Sequence, residues 1–195
     1  PPEPRQKAQD LLGQVETLFK EVTNIADNPG RHSAESWLQL QKLATDLEMR
    51  LDSAIAYAQT NVHSPNADFG VGLESPMKKV FIQDKPFEGA FGDRYDLHLA
   101  RNEHEGMQVV AIPFHKNLKN VSVSVSPPRS KDNSKAFTNG KVQVFLVGYV
   151  DVADNPRYDA DYHGWWPDPL LDFQLSCDAK AGQHIPFWVD VATAP

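Results

Sequence analysis

Prolines divide this chain in two: residues 5 to 62 contain only Pro29, whereas 11 of the 15 prolines lie from Pro65 onward. Proline lacks a backbone donor and clashes with the preceding turn, so long helices are confined to the first part. The hydrophobic period changes at the same place. Before it, Ala8, Leu11, Leu12, Val15, Leu18, Phe19, Val22, Ile25 and Ala26 recur at steps of three and four, the mark of one apolar helical face. "DNPGRHS" interrupts the pattern, and Ser33 is placed to cap a second helix. Trp37, Leu40, Leu43, Ala44, Leu47, Leu51, Ala54, Ile55 and Ala58 then repeat the stripe. Residues 1–62 therefore read as an antiparallel helical hairpin. Two helices alone bury too little surface to be stable, so the hairpin is expected to lie against the rest of the chain.

Residues 63–75, rich in Pro, Gly, Asn and Ser and without a period, read as a linker. From residue 76 the period becomes two. "KKVFI", "YDLHLA", "MQVVAI", "NVSVSVS", "KVQVFLVGYV" and "IPFWVDV" are rich in β-branched and aromatic residues, with turn clusters such as "PPRSKDNSKAFTNG" between them. Val121, Val123 and Val125 alternate with serines, as in a half-buried antiparallel strand. "KVQVFLVGYV" is apolar on both faces and is expected to be covered on both. The expected fold is α+β by content: an N-terminal antiparallel helical hairpin followed, over 76–195, by an antiparallel β-sandwich.

Several functional classes fit poorly. A net charge of −7, with no basic run longer than Lys78-Lys79, argues against a nucleic-acid partner. No apolar run approaches the roughly 20 residues of a membrane-spanning helix, so no membrane partner is expected. The chain opens on Pro1, as a product of signal-peptide removal would, and a periplasmic or secreted location is expected. Cys177 is the only cysteine and reads as a buried, inert thiol. A phosphate loop, a two-histidine zinc helix and a nucleophile elbow each need a fixed spacing that this sequence lacks, and no cofactor is expected.

Three clusters are candidates for chemistry. In "ARNEHEG", Glu103 and Glu105 stand two apart, which on a strand puts both on one face with roughly 7 Å between β-carbons. A retaining glycosidase places its carboxyls about 5 Å apart, so the pair is a candidate catalytic dyad. The competing reading is an ion pair with Arg101 at the start of a strand. In "DVADNPRYDADYHG", Asp151, Asp154, Asp159 and Asp161 could hold Ca²⁺, although the ordered ligand spacing and glycine turn of a calcium loop are absent. The third cluster is "HGWWPDPLLDFQ", whose prolines fix a backbone that carries two adjacent tryptophans. Tyr162, His163, Trp165, Trp166 and Asp168 are its candidate contact residues. They could form an interdomain seam, stack on sugar rings, or be buried in the chain's own core.

Taken in order, "LHLARNEHEGMQVV", "LKNVSVSVS", "VQVFLVGYVDV", "YHGWWPDPLL" and "GQHIPFWVDVATAP" resemble the N-terminal β-sandwich domain of bacterial glycoside hydrolase family 123-like proteins, a group that includes many domain-of-unknown-function glycosidases. The resemblance spans about residues 76–195 and leaves the hairpin out. It implies a parent protein that hydrolyses β-linked N-acetylgalactosamine with an adjacent Asp-Glu pair in a (β/α)8 barrel following the sandwich. The substrate's own acetamido group would be the nucleophile. No residues here match that pair or that barrel. The resemblance thus implies a non-catalytic module for carbohydrate degradation, with the barrel as its partner and Trp165-Trp166 at the seam. The alternatives are a carbohydrate-binding module using Trp165 and Trp166, and a glycosidase using Glu103 and Glu105.

The resemblance further implies that the sandwich lacks its last strand or strands. "IPFWVDV" or its neighbour is then expected to leave an open sheet edge, through which the chain would self-associate. Trp188, on the face opposite Phe187 and Val189, is expected to add exposed apolar surface there.

Overall fold

The computed structural model describes residues 4–28, 30, 32–63, 67–83, 85–130, 135–152 and 162–195. The two apolar stripes form helices α1 (Pro4–Asp27) and α2 (Ala34–His63). Ser33 caps α2 as expected, its Oγ accepting the Ser36 N–H at 3.3 Å. The helices close on one another through the buried Leu11, Ile25, Leu40 and Leu47.

Among the described residues eight strands follow: β1 (Phe69–Glu74), β2 (Ala90–Phe91), β3 (His104–Pro113), β4 (Leu118–Val121), β5 (Gly140–Asp151), β6 (Trp165–Leu171), β7 (Cys177–Ala179) and β8 (Ile185–Thr193). Six of them form one antiparallel sheet in the order β2-β1-β3-β8-β5-β6, and β4 pairs with β7 in a second, two-stranded sheet. The fold is α+β, a helical hairpin followed by antiparallel sheet.

Successive residues of β3 point to opposite faces of the large sheet, and this separates two cores. Val110 and Ile112 join Val80, Phe87, Phe114 and, from α2, Ala56. Ala111 joins Leu146, Ile185, Phe187 and Ala179, with Leu118, Val121, Val123 and Cys177 from the small sheet and its extension packed against them. One face is thus covered by α2 together with Val80 and Phe87, the other by the short second layer with Ile82. The hairpin does lie on the sheet, through α2. Tyr57 meets Phe114 edge-on at 5.3 Å, and Gly70 of β1 carries no Cβ, which would fall 2.8 Å from Thr60 Oγ1. Away from the sheet, Leu12, Phe19 and Leu38 remain exposed.

Four expectations are corrected. The span read as linker contains β1, which pairs along its whole length with β3; its glycines conceal a strand because they make room for the rings of Phe114 and Phe87. Residues 78–82 and 95–100 form no strand and belong to no ladder. The "NVSVSVS" strand is short, its paired part ending at Val121. The open edge expected at "IPFWVDV" does not exist there: β8 lies inside the sheet, bonded to β3 on one side and β5 on the other. Its side chains still divide as expected. Trp188 points away from Phe187 and covers Gly106, where a Cβ would meet the indole at 2.6 Å.

One edge of the large sheet is β6, the "WWPDPLL" segment. Proline cannot donate to a ladder and is tolerated in edge strands, so Pro167 and Pro169 explain why this segment is the last strand of the sheet. The aromatic pair therefore stands on an edge strand. A bulge between Val147 and Tyr149 lets β5 follow it, and Gly148 admits Pro169 at the kink.

Candidate functional site: an aromatic cleft lined by lysines

Residues 75–83 and 85–88 lie against the sheet, and the first of these runs is fastened to it by side chains. Gln108, buried in β3, uses both amide hydrogens on this segment, donating to Ser75 O at 2.8 Å and Lys78 O at 2.7 Å. The Tyr149 hydroxyl donates to Val80 O at 3.0 Å. The His184 backbone N–H donates to Ile82 O at 2.9 Å, and its ring Nδ1 lies 3.1 Å from Phe81 O, placed to donate as Nδ1–H. These bonds satisfy carbonyls that a ladder would otherwise engage, which holds "KKVFI" against the sheet without making it a strand. Burial pushes the Tyr149 phenol well above its ordinary value, so it stays a donor.

Between this strap and β6 lies a cleft of about 370 Å³. Three aromatic rings form one wall. Phe81 meets Tyr162 at 4.7 Å and Trp166 at 5.5 Å, both edge-on, and Tyr162 lies 6.1 Å from Trp166. The Trp166 indole N–H donates to Tyr162 O at 2.9 Å, which fixes its ring across the corner where the chain enters β6. Lys79 Nζ stands 5.6 Å from the Trp166 ring centroid and donates to Pro167 O at 3.2 Å. Lys85 Nζ stands 5.3 Å from both the Phe81 and the Tyr162 centroid. Glu74, buried, and Glu88 also line the cleft; Glu74 accepts the Ser75 N–H at 2.7 Å, and Glu88 pairs with Lys78 at 3.3 Å. A second cavity of about 210 Å³ adjoins it, sharing Lys78 and Lys79 and bounded by Gln108, Asp168, Leu170 and Trp188.

Of the candidate contact residues, Tyr162 and Trp166 meet in the first cavity and Asp168 borders the second. His163 is exposed, and Trp165, its neighbour's opposite in the strand, is 45% exposed and lines neither cavity. Sequence reasoning misses Lys79 and Phe81, because a period-two reading of "KKVFI" assigns them to a strand and conceals their approach to residues 162–167, and it misses Lys85, which lies beyond that run. Glu103 lies in the turn before β3, where its carboxylate accepts the Ala100 N–H and its backbone N–H donates to Thr193 Oγ1 at 3.1 Å. Glu105 follows on β3, opposite Val191. The pair thus serves different elements, Glu103 as a staple of the turn. Asp151 is exposed at the end of β5; Asp154, Asp159 and Asp161 lie outside the described residues. Among the described residues no group of three or more His, Cys, Asp or Glu is arranged to hold a metal ion. Cys177 is half-buried against the second core, and burial raises its thiol pKa, which keeps it protonated and unreactive.

No protein-family model matches this chain, and no curated protein does.

The cleft has a pH-sensitive support. His184 is buried behind it, and burial lowers its imidazole pKa from the ordinary 6.5, outweighing the bond to Phe81 O. The unfolded chain therefore takes up a proton at a higher pH than the folded one, so the stability that neutral His184 contributes is complete above 6.5 and is lost as pH falls toward the depressed folded value. The melting temperature is expected to drop between about pH 7 and about pH 5, and His184→Gln, which keeps a donor for Phe81 O, is expected to flatten that slope. An unchanged slope in the variant would assign the acid sensitivity elsewhere.

Proposed function

We propose that this chain is a non-catalytic accessory module of an exported, carbohydrate-degrading protein of the glycoside hydrolase family 123-like kind, and that the cleft between residues 75–88 and β6 takes part of a glycan. The observation that carries this reading is the convergence of Phe81, Tyr162 and Trp166 on one concave wall next to polar and charged groups. Aromatic walls with a few placed polar groups suit sugars, whose C–H faces are apolar and whose hydroxyls need partners. Pocket size fits too: about 370 Å³ is within the ordinary range for small-ligand sites. No helix among the described residues is long and apolar enough to cross a membrane, which agrees with an exported module free of a helical anchor in that part.

A second role is favoured by a separate surface. Trp165, Phe173 and Leu175 are exposed on β6 and just after it, apolar surface that suits contact with a catalytic barrel of the parent protein. The two roles use different residues of one segment and are compatible.

The test is tryptophan fluorescence during titration with neutral and acidic oligosaccharides containing β-linked N-acetylgalactosamine. A saturable change is expected that Trp166→Ala abolishes and Trp165→Ala spares. If Trp165→Ala alone removes it, the cleft is not the glycan site; if no glycan changes the signal, the binding role falls.

A further inference from the structure

We infer that the cleft selects an anionic group carried on its glycan, a carboxylate or a sulfate, through the ammonium groups of Lys79 and Lys85. This inference rests on the glycan reading above and adds the chemical class of the ligand. The cleft lining holds three lysines against two glutamates, in a chain whose net charge is −7. The two acids are already engaged, Glu88 by Lys78 and Glu74 by the Ser75 N–H. Among the described residues neither Lys79 nor Lys85 has a carboxylate partner within ion-pair distance.

Instead each ammonium is held over an aromatic face, Lys79 over Trp166 and Lys85 over Phe81 and Tyr162 together. A ring face attracts a cation without neutralising it. The rings therefore fix the position of two long side chains whose freedom would otherwise oppose binding, and leave the charge available to an anion entering the cleft.

Calorimetric titration of the whole chain with three hexasaccharides of one backbone decides the matter: unsulfated chondroitin, which carries carboxylates; its sulfated form; and the unsulfated form with its carboxyls reduced to alcohols. At least one acidic probe is expected to bind about tenfold tighter than the neutral one, with an affinity that falls as salt is raised. The comparison of the two acidic probes tells carboxylate from sulfate. Lys85→Gln is expected to remove most of the preference while leaving the melting temperature unchanged, because the side chain is at the cleft surface. Equal binding of all three probes, unaltered by Lys85→Gln, would overturn the inference and leave the glycan reading standing. Failure of all three to bind would overturn both.

Discussion

Phe187→Ala is expected to destabilise the protein by about 3–5 kcal/mol, the range for emptying a large aromatic site in a packed core. Phe187 is 0% exposed and sits on β8, the strand bonded on both sides within the large sheet. Its register partners are Val109 and Leu146, and its core includes Ala111, Ile185 and Ala179, so the cavity would open where β3, β5 and β8 all meet the small β4-β7 sheet. The second layer there is only two strands wide and has little material with which to collapse into the gap. Urea unfolding of Phe187→Ala beside Phe187→Leu measures the effect, the leucine variant retaining most of the volume and losing correspondingly less. A cost below about 1 kcal/mol for the alanine would mean that the small sheet does not cover this face as described.

What the sequence reveals of this fold follows from how local each cause is. The helices are legible because a stripe such as Leu11, Val15, Leu18 and Val22 states its period within one segment. β3, β5 and β8 are legible as apolar runs for the same reason. β1 is not: its sequence "FGVGLE" looks like a linker because Gly70 and Gly72 are shaped by what packs over them, the rings of Phe114 and Phe87. Strand order is equally hidden. The last strand of the sequence stands in the interior of the sheet, so an open edge argued from its place in the chain fails. In the cleft, Tyr162 and Trp166 draw attention through composition, whereas Phe81, Lys79 and Lys85 do not. Their role depends on Gln108, Tyr149 and His184 fastening a distant segment beside β6, and no spacing within "KKVFI" encodes those bonds.

That fastening makes one small residue decisive for both stability and site. A Cβ on Gly72 would fall 2.3 Å from Phe87 Cε1 and 2.4 Å from its Cζ, far inside contact distance, so the ring must move. Little space is available to it. Gly89 admits the same ring from another side, Phe91 meets it edge-on at 5.4 Å, and His184 lies 5.9 Å away. Phe87 is also shared, closing the core that Ala56 of α2 rests on and lining the cleft. Gly72→Ala is accordingly expected to cost about 1–3 kcal/mol from overpacking. Glycan affinity is expected to fall with it, because displacement of Phe87 disturbs the neighbouring Lys85 and Glu88. The cause can be isolated with Phe87→Leu, which removes the ring atoms nearest the new methyl. Gly72→Ala in the Phe87→Leu background is expected to cost markedly less than in the parent chain, a coupling of at least about 0.5 kcal/mol. Strictly additive costs would show that the methyl clashes with something other than Phe87 and would remove the link between β1 and the cleft.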